Sequence, residues 1–420
     1  MKPPYWFLLS LLLPLLVVQV QAGSLPDGDA TALGFDPVAL SALDRSVQAR
    51  IDESAFPGAA ILIVRDGRIA HQSLLGRRVP DGAPVTGDTL FRIYSMTKPI
   101  VSVAALALVE QGKLDLDQPL SELIPAFAAT RVATGMLNAD GEPETEPVER
   151  PITILDLMRH TSGLTYGFFG QGVVRDAYRN AAAGSAGLSN IETAARLAEL
   201  PLEHQPGTIW EYSRATDVLG AVVEVASGMP LAQALSEMIF QPLGMRDTGF
   251  GIADAADYPR IAEPHESDSR IGAYGMFDPR ITGRAPSGGG GLMSTTDDYA
   301  RFAQMLLNGG ELDGVRILKP ETVAMMTSDQ TISRGMKPGK YYLPGRGYGF
   351  GLGVAVRISD QGAAHPGSVG DYFWGGAGGT YYFADPVQNM FVLFMIQAPK
   401  AGRTMRGPVR SQVYDAMTRR

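Results

Sequence analysis

Ser95-Met96-Thr97-Lys98 sets a hydroxyl and an amine three residues apart, a spacing that on a helix turns both to one face. A serine hydroxyl is a weak nucleophile until a base within hydrogen-bond reach takes its proton. A lysine can serve as that base only if desolvation or a neighbouring cation lowers its pKa. Only seven of the 36 basic residues are lysine, so one beside a candidate nucleophile stands out in a chain that otherwise favours the guanidinium. A third ionisable group would let the proton reach a leaving group. Trp210-Glu211-Tyr212-Ser213-Arg214-Ala215 offers Tyr212, between the turn-forming Gln205-Pro206-Gly207 and an apolar helix around Val218 to Val225. The residues alone do not choose it from among 15 tyrosines, most of which pack.

Other chemistries find less support. Gly-x-Ser-x-Gly is absent, and so are the glycine patterns that cradle nucleotides, so no cofactor is expected. The five histidines, His71, His160, His204, His265 and His365, show no paired metal-ligand spacing. His365, in a Pro/Gly-rich loop, is the candidate for a scattered Ser-His-Asp triad. Gly288 to Gly291 leads into a capped helix without a phosphate-binding lysine and reads as a close backbone approach. The chain has no cysteine, which excludes disulfides, thiolate metal sites and a cysteine nucleophile. A net charge of −8 without a basic block argues against nucleic acid as a partner.

The positioning elements follow from pattern. Residues 1–22 read as an export signal: Lys2, an apolar stretch from Tyr5 to Val18, then Val20-Gln21-Ala22 as a cleavage site. The expectation is a periplasmic or secreted protein with no integral membrane span after signal removal. Asp36-Pro37 opens a helix carrying Val38, Leu40, Leu43 and Val47 and ending near Glu53. Ala60 to Val64, Arg65-Asp66-Gly67-Arg68 and Ile69 onward form a hairpin. An apolar helix covers Met96 to Gln111, with Gly112 as its stop. Thr153 to Asp156 and Ser294 to Asp297 resemble capping boxes, the first opening a helix to about His160. Strands are expected at Tyr348 to Val356, Gly379 to Phe383 and Met390 to Ile396, and a closing helix after Gly407-Pro408. Strands at both ends with helices between predict an α/β (α+β) fold of two lobes. An antiparallel sheet comes from roughly 23–95 and 310–420, and a mainly helical lobe from roughly 96–309.

Ser95-Met96-Thr97-Lys98, His160-Thr161-Ser162-Gly163-Leu164, Gln205-Pro206-Gly207 with Tyr212-Ser213, Gly288 to Thr295, and Trp374-Gly375-Gly376 occur in an ordered series. In that order the chain resembles the serine β-lactamase-like superfamily over nearly all of residues 23–420, in the general plan of class C β-lactamases and penicillin-binding proteins. It looks closest to the family VIII carboxylesterases. The resemblance implies Ser95 as nucleophile, Lys98 as the partner that helps deprotonate it, and Tyr212 as the base that also protonates the leaving alkoxide. It also implies an oxyanion hole from the Ser95 N–H and an N–H of the Trp374-Gly375-Gly376-Ala377 strand, at Gly376 or Ala377. Two departures bear on substrate. Tyr212-Ser213-Arg214 stands where class C enzymes carry Tyr-x-Asn, and Trp374-Gly375-Gly376 stands where β-lactamases carry Lys-Thr-Gly. The lost ammonium removes an anchor for a substrate carboxylate, while Arg214 and Arg346 read as surface residues. Tyr166, Phe168, Phe169, Tyr372, Phe373 and Trp374 are candidates to line an acyl or alcohol pocket. The expected activity is hydrolysis of small neutral carboxylic esters. The alternatives are a β-lactamase or D-alanyl-D-alanine carboxypeptidase, and a catalytically silent homologue that binds cell-wall fragments.

Overall fold

The computed structural model describes residues 24–181, 187–268, 277–281 and 283–418; the expected export signal lies outside them. Helix α1 (Pro37–Asp52) starts as expected, with the Asp36 carboxylate accepting from the Val38 N–H at 2.8 Å and Pro37 in the first turn. Leu40, Leu43 and Val47 are buried, whereas Val38 points to solvent. Strands β1 (Gly58–Arg65) and β2 (Arg68–Gly76) join through Asp66 and Gly67, both at positive φ as a two-residue hairpin turn requires. The C-terminal part supplies β3 (Tyr348–Phe350), β4 (Ala355–Arg357), β5 (Tyr372–Gly375), β6 (Tyr381–Asp385) and β7 (Met390–Ile396).

These strands form one antiparallel sheet in the order β3-β4-β5-β6-β7-β1-β2, so the two ends of the chain do build it together. β1 is apolar throughout because both of its faces are covered. Ala59, Ile61 and Ile63 pack with Leu43 and Val47, while Ala60, Leu62 and Val64 face the helical core on the other side. The single strand expected over Tyr348 to Val356 is instead a hairpin, because Gly353 at φ +95 turns the chain. β6 begins two residues late, because Gly379 at φ +109 still belongs to the preceding turn.

Helix α2 (Thr97–Glu110) is buried along nearly its whole length and stops at Gly112, φ +69. Thr153 and Asp156 form the expected capping box of α3 (Ile154–Met158), which ends two residues before His160. Helix α4 (Ala215–Ser227) packs on α2, and α5 (Thr296–Leu307) packs on β7. The cap of α5 is Thr295 to the Asp298 N–H at 3.1 Å, one residue later than expected, because Ser294 still pairs in a strand with Phe91. The closing helix α6 (Pro399–Asp415) starts well before Gly407-Pro408. Pro408 removes one N–H from its ladder at a cost of about 3 kcal/mol, offset by burial of Val409, Val413 and Tyr414. Among the described residues no single helix is long and apolar enough to cross a membrane.

Candidate active site

The turn before α2 holds the candidate nucleophile. Tyr94, Ser95 and Met96 form one tight helical turn in which Tyr94 takes φ +45, a left-handed conformation that an aromatic residue adopts only under constraint. The Tyr299 hydroxyl donates to the Met96 carbonyl at 3.1 Å, and the Thr97 hydroxyl accepts from the Leu292 N–H at 3.2 Å, pinning the turn from the middle of the chain.

Ser95, Lys98 and Tyr212 come together. The Tyr212 hydroxyl donates to Ser95 Oγ at 2.6 Å, and Lys98 Nζ donates to the same oxygen at 3.3 Å. Lys98 is fully buried and also donates to the Tyr166 hydroxyl at 3.2 Å and the Gly289 carbonyl at 2.6 Å. Three donors meeting three acceptors is the coordination of an ammonium. The lowered pKa that a lysine base requires is not what these contacts favour. Burial alone would pull the amine down, but Tyr166, Tyr212 and Asp217 hold it above the ordinary lysine range. The Lys98 charge also lies 4.7 Å from the centre of the Tyr212 ring. Tyr166 is pushed up to about 12, chiefly by burial. It was expected only as a pocket wall, and its hydroxyl completing the Lys98 shell had no signal in local spacing.

Tyr212 is held from several sides. Glu211, adjacent in the chain, accepts from Arg175 at 2.7 Å and from the Thr165 hydroxyl at 3.1 Å, and its N–H donates to the His160 carbonyl at 2.9 Å. The His160 ring lies 4.9 Å from that of Tyr212, with Nδ1 3.2 Å from Ser213 Oγ. Burial and the nearby Lys98 charge hold His160 neutral, well below its usual pKa. The glycine run was rightly read as a close approach: a Cβ on Gly288 would come 2.5 Å from the Thr216 carbonyl oxygen, and Gly289 places its carbonyl on Lys98.

The strand opposite narrows the choice of oxyanion donor. The Gly376 N–H donates to the Thr380 carbonyl at 2.8 Å and is committed, whereas among the described residues neither the Ser95 nor the Ala377 N–H has an acceptor. Gly376 is required for another reason: a Cβ there would sit 2.4 Å from the Ile93 carbonyl oxygen, where the strand passes the nucleophile's turn. Trp374 packs on Tyr212 at 5.4 Å and on Phe350 at 5.2 Å.

No described histidine bonds Ser95. His365 lines the cleft, but its ring rests where a Cβ on Gly407 would be. His71 has Asp44 at 2.9 Å and Ser73 at 3.0 Å on the same nitrogen, so it cannot relay a proton from one to the other. The cleft encloses about 880 Å³, the size of a small-molecule site. Tyr166, Phe168, Phe169, Phe373 and Trp374 line it as expected. Tyr372 does not, lying buried against Tyr382. Arg214 and Arg346 also line it, Arg214 half-buried beside Asp217 and Arg346 exposed at the surface as expected.

A beta-lactamase family profile matches residues 43–413. The chain belongs to the beta-lactamase family. It is 38% identical over 367 residues to an uncharacterised protein of Mycobacterium tuberculosis, covering 84% of this chain and 88% of that one. It is 35% identical to the esterase EstB of Burkholderia gladioli, over 92% of this chain and 99% of EstB. The fold matches that of EstCE1, a hydrolase with promiscuous acyltransferase activity, with a TM-score of 0.73 at 29% identity, over 91% of this chain and 99% of that one. These relatives support hydrolase activity of the esterase kind.

Proposed function

We propose that this member of the family is an exported carboxylesterase that works through an acyl-enzyme on Ser95. The observation that carries the reading is one oxygen, Ser95 Oγ, held at once by the Tyr212 hydroxyl at 2.6 Å and the Lys98 ammonium at 3.3 Å. The reacting form has Tyr212 as a phenolate, its own proton released to solvent and its charge held by the adjacent Lys98 ammonium; as Oγ bonds to the ester carbonyl carbon, the Oγ proton passes to that phenolate. The carbonyl oxygen becomes an oxyanion between the N–H groups of Ser95 and Ala377. On collapse the bond to the alkoxide breaks, and Tyr212 returns the proton to the leaving oxygen. Water then bonds to the acyl carbon as Tyr212 takes its proton, and when the bond to Oγ breaks Tyr212 returns that proton to Oγ, releasing the acid and freeing Ser95.

Ester rather than β-lactam chemistry is supported by Arg214. It stands at the third position, where Tyr-x-Asn carries its amide, and lines the cleft with a guanidinium facing Asp217 at 3.5 Å, so no amide is offered there to a lactam side chain. The test is labelling by a fluorophosphonate probe together with turnover of p-nitrophenyl butyrate and of a chromogenic cephalosporin. Labelling and ester turnover that both vanish in Ser95→Ala support the reading. Faster turnover of the cephalosporin would assign the site to β-lactams instead.

A further inference from the structure

We infer that the cleft selects esters carrying a carboxylate set back from the scissile carbonyl, received by an arginine face that α6 turns into it. The inference rests on the hydrolase reading of Ser95 and adds the charge of its substrate. In a chain of net charge −8, the cleft is lined by six arginines, Arg214, Arg284, Arg346, Arg403, Arg406 and Arg410, against two carboxylates, Asp217 and Asp278. Both carboxylates are committed. Asp217 accepts from the Ser287 hydroxyl at 2.6 Å and the Gly289 N–H at 3.2 Å and faces Arg214 at 3.5 Å, while Asp278 pairs with Arg280 at 3.0 Å. A concave surface lined by one sign of charge concentrates ions of the other sign.

Three of those arginines share one helix face, since positions 403, 406 and 410 recur at the three- and four-residue spacing of α6. Arg410 is anchored by Asp371 at 2.6 Å and the Pro366 carbonyl at 2.7 Å. Arg406 donates to the Gly376 carbonyl at 2.6 Å, and its Cζ lies 2.5 Å from where a Cβ on Gly375 would be, so its charge sits against the strand that carries Ala377. Arg403 is exposed and, among the described residues, has no hydrogen bond or ion pair; Arg346, also lining the cleft, is likewise exposed and unpaired. His365 also lines the cleft, with its pKa lowered by burial and by the charges of Arg410 and Arg357. Trp374 in place of a lysine leaves the strand without an anchor for anions, and a different element makes good the loss. The cation comes from the helix packed against the strand, and the guanidinium fork suits a carboxylate.

The test compares charged and uncharged twins. Sodium 4-(butyryloxy)benzoate and its methyl ester carry the charge on the alcohol side; ethyl hydrogen glutarate and ethyl methyl glutarate carry it on the acyl side. The expected result is a kcat/KM about five- to tenfold higher for the anionic member of one pair, shrinking as salt is raised. In the double variant Arg346→Gln/Arg403→Gln the ratio should fall to about one, with the thermal midpoint unchanged because both side chains are exposed and unpaired. Equal kcat/KM within both pairs, or a preference that survives in the double variant or in high salt, overturns the inference and leaves the hydrolase reading standing. Turnover of none of the four esters, with no fluorophosphonate label on Ser95, removes the hydrolase reading and the inference with it.

Discussion

The Ser95 centre and the arginine face of α6 share one cleft and are built by opposite rules. At the centre the two side chains on Ser95 Oγ are fully engaged: Lys98 is fully buried on three acceptors, and the Tyr212 hydroxyl is committed to Ser95. At the mouth, Arg403 and Arg346 are exposed and unpaired, and Phe168 keeps 47% of its surface open. A reacting centre must be preorganised, since a misplaced proton carrier costs orders of magnitude in rate. A mouth has only to prefer one ligand over another, which loosely held side chains do at a cost of fractions of a kcal/mol to about 1 kcal/mol. Substitutions at the centre should therefore act on kcat, and those at the mouth on KM and selectivity.

The largest expected effect is at the centre. Tyr212→Phe keeps the ring that packs against His160 and Trp374 but removes the hydroxyl on Ser95 Oγ. Its kcat for p-nitrophenyl butyrate should fall about 10²–10⁴-fold with an unchanged thermal midpoint. A near-normal kcat would remove Tyr212 from proton transfer and erase the contrast between centre and mouth.

Next in size is the anchor behind the arginine face. Asp371 is fully buried between Arg357 at 2.8 Å and Arg410 at 2.6 Å. Asp371→Asn leaves two buried guanidinium groups facing an uncharged amide, an expected loss of about 3–5 kcal/mol in denaturant unfolding. A variant of native stability would show that α6 is held by its apolar side alone.

A smaller effect separates His160 from a proton-transfer role. Its native pKa lies well below the ordinary value near 6.5, so below that pH the unfolded chain binds a proton that the folded chain refuses. Stability then falls as pH drops, by at most about 1.4 kcal/mol per pH unit for one such group. His160→Asn, which tolerates the φ of +58 there, should flatten that slope between pH 7.5 and 5.5. The same slope in both proteins would assign the acid sensitivity to other groups.

The fold was legible where one local rule decides. The Asp66-Gly67 turn, the Pro37 helix start and the Thr153 capping box depend on residues within a few positions of each other, and each stands where expected. The misread elements were settled by tertiary contact. Ser294 is held in a strand by Phe91, and Pro408 is carried inside a helix by the apolar face around it. Ser95 and Lys98 were readable from spacing, but Tyr212 was singled out only by family resemblance, because 117 positions separate it from Ser95. Spacing left the charge state of Lys98 open for the same reason. Its acceptors come from Tyr166 and Gly289, remote segments that no window around Lys98 contains. The arginine face was missed because its meaning lies in where α6 packs.

The mouth offers the smallest effect and the sharpest probe of its independence from the centre. Phe168 stacks on Tyr166 at 4.5 Å and lies 4.8 Å from Phe169, which in turn lies 5.9 Å from the Tyr212 ring. An aromatic alcohol leaving toward Tyr212 would extend this stack, and an aromatic pair adds about 0.5–1.5 kcal/mol beyond its area. Phe168→Ala should therefore raise KM for phenyl butyrate about two- to tenfold while leaving KM for ethyl butyrate within about a factor of two. Steady-state kinetics on the two esters measures this directly. Equal rises for both would mean that Phe168 shapes the cleft as a whole, and a fall in kcat would mean that it steadies Tyr212 through Phe169, joining mouth to centre.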